Sequence, residues 1–178
     1  MVDMKELNPT RLNFYRYLNG ELDIEAFEKW VYKSKELESE LGSGQYVQLI
    51  SYNFKSPDLR VYIQTLVRKN FEWMEYEKWR TIELLKTICN EEIEIVLATH
   101  KMEALYREQE EEIKFPLISI GLAIGCSSEL DGFPVESEYH LRNKDSLKKK
   151  LEQVSEYKKF ILKSVEEELS KLLNSENK

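Results

Sequence analysis

Apolar side chains return at every third or fourth position along almost the whole chain, and helix-breaking residues are scarce. Gly and Pro together number ten in 178 residues. A 3.6-residue period marks amphipathic helices, and this chain carries it through Leu12–Leu18, Ile24–Val31, Leu59–Val67, Trp73–Leu85, Ile93–Leu105 and Leu147–Leu169. Few segments remain that could pair as strands. The spacing therefore predicts an all-α fold, one domain over 1–178 built as a bundle of about six helices. At this length, a hydrophobic fraction of 42% is enough for one substantial core.

Starts and stops can be read between the periodic runs. Asn19-Gly20 supplies residues that tolerate the left-handed conformation and so closes the first helix. Asp23 is a good N-cap for a second helix, expected to run to about Leu41. Gly42-Ser43-Gly44 interrupts, and Tyr46–Phe54 fits helix or strand, with the spacing of Val47, Ile50 and Phe54 favouring helix. Ser56-Pro57-Asp58 then reads as cap, first helical residue and first-turn acid, ahead of the stripe Leu59, Ile63, Leu66 and Val67. The pattern resumes over Phe71–Ile88 after a bend near Asn70. Asn90 is expected to cap the next helix, Ile93 to about Glu112. Gly121, Gly125, Asp131-Gly132 and Phe133-Pro134 make 117–144 an irregular connecting segment, strand-like near 117–135. Residues 145–174 read as a long C-terminal helix.

Little recognisable chemistry accompanies this architecture. Cys89 and Cys126 have no neighbouring Cys, which fits neither a disulfide framework nor a thiolate metal knuckle and points to a reducing, cytoplasmic location. No apolar run reaches the roughly 18 residues of a membrane span; the longest, Phe115–Cys126, is interrupted by Pro116, Ser119, Gly121 and Gly125. Neither His100 nor His140 belongs to an H-E-x-x-H or Glu-x-x-His pattern, so no metal or other cofactor is expected. His100 is placed at the core or its edge. Gly121-Leu-Ala-Ile-Gly125 lacks the Lys that ends a phosphate-binding loop. Trp73, Tyr76 and Trp79 could stack on a ligand, but their helical spacing favours the core, and Glu72, Glu75 and Glu77 flank them where a nucleic-acid platform would carry bases. No catalytic residue is assigned. An enzyme would have to gather scattered carboxylates, tyrosines and His100.

Charge is the most informative feature for function. The net charge of −7 disfavours direct nucleic-acid binding, which needs Lys and Arg to displace counterions from phosphates. The acids are unevenly spread: seven against three lysines over 21–41, eight against three bases over 91–115, and one against four bases over 42–70. An acidic helix is most often a solvated face. The alternative is a surface that meets a basic protein and gains rate and register from charge. The candidate partner-binding residues are Asp23, Glu25, Glu28, Glu91, Glu92, Glu94, Glu108, Glu110, Glu111 and Glu112.

The segment Phe14-Tyr15-Arg16-Tyr17-Leu18-Asn19-Gly20-Glu21-Leu22-Asp23-Ile24-Glu25-Ala26-Phe27-Glu28 resembles the opening of colicin-like bacterial immunity proteins, with a short helix, Leu-x-Gly-Glu and an acidic helix carrying Glu-x-Phe. Ser56–Ile88 and Ile120-Gly-Leu-Ala-Ile-Gly also look like small helical proteins of Gram-positive bacteria. The first resemblance implies a non-enzymatic cytoplasmic inhibitor that sets acidic side chains against the basic cleft of a toxin or nuclease domain. The expected function is thus an immunity or antitoxin-like protein, monomeric or homodimeric. The runner-up is a helical scaffold or regulatory module.

Overall fold

A computed structural model describes residues 7–109, 117–130, 139–140 and 143–174. The fold is all-α, and the described residues form nine helices and no strand. These are α1 (Pro9–Leu18), α2 (Ile24–Lys33), α3 (Leu37–Leu41), α4 (Ser43–Ile50), α5 (Leu59–Asn70), α6 (Trp73–Cys89), α7 (Ile95–Glu108), α8 (Ile118–Leu130) and α9 (Lys144–Asn174). They divide into two compact units, Met1–Arg80 and Thr81–Lys178. Among the described residues, no helix is long and apolar enough to cross a membrane.

In the first unit, the Asn8 side chain accepts the Thr10 N–H at 2.8 Å to open α1, with Pro9 at its first position. At the other end, Gly20 takes φ +78°. Its N–H reaches the Tyr17 carbonyl at 3.1 Å, and the Glu21 N–H reaches that of Arg16 at 2.9 Å, which is a Schellman closure. Asp23 caps α2 by accepting the Ala26 N–H at 2.7 Å. The helix expected to continue to Leu41 stops at Lys33 and restarts as α3. Its buried stripe, Phe27 and Val31, would continue at Ser34, Lys35 and Glu38, all polar. Leu37 lies off that stripe, and α3 buries it together with Leu41.

Residues 43–50 take the helical alternative, with Leu49 buried and Val47 turned outward. α5 starts at Leu59, two residues after the expected Pro57. The Ser56 hydroxyl is used in a turn, accepting the Asp58 N–H at 3.2 Å, instead of capping the helix. Aromatic rings fill the centre: Phe14 meets Phe27 edge-on at 5.7 Å and Trp30 at 5.3 Å. Tyr76 and Trp79 of α6 are buried in the same cluster. Trp73 is half-buried, with the Arg68 guanidinium 4.0 Å above its ring.

In the second unit, Leu85, Ile88, Ala98, Met102, Ile120, Ala123, Ile161 and Val165 form the buried cluster. Asn90 does not cap the following helix. It ends α6, its N–H bonded to the Lys86 carbonyl at 2.9 Å, and α7 begins at Ile95. α7 ends at Glu108. The segment expected to be irregular or strand-like forms α8 over Ile118–Leu130. Gly121 and Gly125 are exposed helical positions, where Gly costs about 1 kcal/mol relative to Ala. Burial of Ile120 and Ala123 on the opposite side offsets that cost. α9 covers Lys144–Asn174; it turns Ile161 and Val165 inward and leaves Phe160 exposed.

Candidate interaction surface

Three of the candidate acids lie at the start of α2. Asp23 is exposed, but its carboxylate is engaged as the N-cap. Glu25, in the first turn, is exposed and favoured there by the positive end of the helix. Glu28, half-buried, is three residues on and shares its side of the helix. Neither the Glu25 nor the Glu28 carboxylate has a hydrogen-bond or ion-pair partner among the described residues. Tyr32 completes the row, 56% exposed, its hydroxyl donating to the Ile50 carbonyl of α4 at 3.2 Å and its ring tilted on Phe54 at 5.9 Å.

The second group occupies the turn after α6. Glu91, at φ 54°, sits at the C′ position of a Schellman closure: its N–H bonds the Ile88 carbonyl at 3.0 Å and the Glu92 N–H that of Thr87 at 3.1 Å. Its carboxylate is paired with Lys158 of α9. Glu92 accepts from the Asn90 side chain at 3.1 Å, and Glu94 is exposed at the N-cap position of α7 without a side-chain capping bond. Glu108 is exposed in the last turn of α7. Glu110, Glu111 and Glu112 lie outside the described residues. The structure thus brings Glu25 with Glu28, and Glu91 with Glu92 and Glu94, within single segments.

Several buried or half-buried polar groups are committed to structure. Glu75 accepts from Arg11 at 2.9 Å and from the Tyr15 hydroxyl at 3.1 Å. Burial, and then the charge and hydrogen bond of Glu75, push the Tyr15 phenol well above its ordinary range, so it stays protonated. Glu77 and Arg80 pair at 2.7 Å in the interior of α6. The Glu168 carboxylate of α9 accepts both the N–H of Ser119, at 3.1 Å, and its hydroxyl, tying down the first turn of α8. Burial raises the Cys89 thiol, and the nearby Glu166 carboxylate adds to the shift, which disfavours the nucleophilic thiolate.

His100, expected at the core or its edge, is exposed on α7. It stands where the helix turns Ala98 and Met102 inward. Among the described residues, no group of three or more His, Cys, Asp or Glu is placed to hold a metal ion. Tyr32 and Val47 are surface residues that sequence reasoning did not single out as candidates. Only their high exposure marks them, and periodicity does not report exposure on a short helix. No family model, no curated protein and no solved structure matches the chain.

Proposed function

We propose that this protein is a non-enzymatic binding protein, an immunity- or antitoxin-like inhibitor that meets a basic toxin or nuclease domain through an acidic helical surface. The observation that carries the reading is the outer side of α2, where Glu25 and Glu28 hold carboxylates with no partner among the described residues. An unsatisfied pair of like charges on a rigid helix costs a little in the free protein and is relieved by a cationic partner. The turn at Glu91, Glu92 and Glu94 is a weaker contributor, because Lys158 and Asn90 already engage two of its three carboxylates.

The test is recovery of the tagged protein from its host, with mass spectrometry of what accompanies it. The reading expects a basic protein, released by salt and lost when Glu25 and Glu28 are both changed to Lys. Recovery of the chain alone, unchanged by that charge reversal, would reject it. A toxin-like reading frame beside the gene, whose toxicity this protein relieves on co-expression, would separate an inhibitor from a scaffold.

A further inference from the structure

Tyr15 of α1 is fully buried, and its hydroxyl donates to Oε1 of Glu75 on α6 at 3.1 Å. The other carboxylate oxygen, Oε2, accepts from Arg11 at 2.9 Å, which fixes the carboxylate in place. The Tyr15 ring also begins a run of aromatic contacts. Its centroid lies 5.3 Å from that of Tyr76, which in turn lies 4.7 Å from that of Trp73. At such separations rings pack directly on one another, close enough for an electron to pass between them. Trp73 is half-buried and forms the outer end of the run.

The three rings differ in how they would bear the loss of an electron. The Arg68 guanidinium lies 4.0 Å above Trp73 and that of Arg80 lies 5.5 Å from Tyr76, so positive charge on either ring is opposed. The second effect is the weaker, because Arg80 is paired with Glu77. The Nε1–H of Trp73 is buried with no hydrogen-bond partner among the described residues, so an oxidised indole there has no acceptor for its proton. Tyr15 has one. A phenol that loses an electron becomes a strong acid, and an uncompensated buried cation is costly. In the interior the electron therefore leaves only when a neighbour takes the proton, and an ionised carboxylate has the lone pairs to do so.

We propose that Tyr15 is a redox-active tyrosine, oxidised to its neutral radical by electron transfer through Tyr76 to Trp73, with Glu75 as the proton acceptor. A one-electron oxidant, a peroxide-derived radical, removes an electron from Trp73. An electron from Tyr15 passes through Tyr76 and fills the vacancy on Trp73, while the Oη–H bond of Tyr15 breaks and its proton forms a bond to Oε1 of Glu75. The products are the Tyr15 phenoxyl radical and a neutral Glu75 acid, with Trp73 restored. One electron from a thiolate, which becomes a thiyl radical, returns along the same rings, and the proton on Glu75 goes back to Tyr15. The oxidising equivalent is thus held on a ring shielded from solvent. This activity is independent of the acidic-binder reading.

The test is flash oxidation of the full chain by photoexcited tris(bipyridine)ruthenium(II) with persulfate, followed by transient absorption and by electron paramagnetic resonance of freeze-quenched samples. The native chain should give a neutral tyrosyl signal that outlives the radicals of exposed tyrosines and forms more slowly in D2O. The signal should persist in Tyr32→Phe, which removes an exposed phenol, and be lost in Tyr15→Phe. Glu75→Gln keeps an acceptor oxygen but cannot take the proton, so there the tyrosyl signal should be lost and oxidation stranded on tryptophan. Trp73→Phe should slow formation without changing the identity of the radical. No long-lived tyrosyl signal in the native chain, a rate unchanged in D2O, or a signal that survives Tyr15→Phe or Glu75→Gln would overturn the proposal.

Discussion

Gly20 and Glu91 occupy the same place in the same helix-ending motif, with φ of 78° and 54°. Glycine meets no Cβ penalty there, whereas an L side chain in the left-handed region costs about 1–2 kcal/mol. Changing Glu91 to Gly should raise stability by about 0.5–1 kcal/mol, after allowing for the greater freedom of Gly in the unfolded chain. The exposed pair with Lys158 that would be lost contributes little. Gly20→Ala should go the other way by about 1 kcal/mol. Urea midpoints of both variants check the pair of predictions.

Tyr15 gives a second test at this scale. Its phenol is raised by burial first and Glu75 second, so the stability it carries is whole below its unfolded value of about 10 and is lost as pH rises through the folded value. Unfolding midpoints should therefore fall above about pH 10. Tyr15→Phe should flatten that fall, at a cost of about 1 kcal/mol near neutrality for the hydrogen bond to Glu75.

Between elements, the contact with the clearest energetic consequence is the one Glu168 makes. The first N–H groups of a helix have no partner within it, and α8 has that of Ser119 satisfied by a buried carboxylate from α9. Glu168→Ala should cost about 2–3 kcal/mol and Glu168→Gln about 1 kcal/mol, because the amide keeps an acceptor but loses the charge. Ser119→Ala combined with either should cost less than the sum, as expected of partners in one contact. No signal in the sequence announces this link, since the partners are 49 positions apart. What could be read were the helical stripes themselves: Leu59, Ile63, Leu66 and Val67 are all buried. What failed were boundaries, for two physical reasons. Ser56 and Asn90, both good cap residues, are used in turns. Glycines that usually punctuate are carried inside α8 because its opposite side is buried.

For the molecule as a whole, the net charge of −7 and its uneven distribution were legible from composition alone, but which carboxylates stay available was not. Asp23 is marked as a helix cap by its position in the sequence, and the structure engages it so, but the pairing of Glu91 with Lys158 shows only in the folded chain. The aromatic member of the surface was hidden for a similar reason. Tyr32 reads as one more residue of an amphipathic helix until the short α4 is placed beside it through Ile50. The measurement that bears most directly on the proposed function is the association rate of the recovered basic partner as a function of ionic strength, for the native chain and for Glu25→Lys/Glu28→Lys. The account predicts a rate that falls tenfold or more from low to physiological salt and is already slow, and nearly salt-independent, in the double variant. Equal rates for the two proteins at every salt concentration would contradict it.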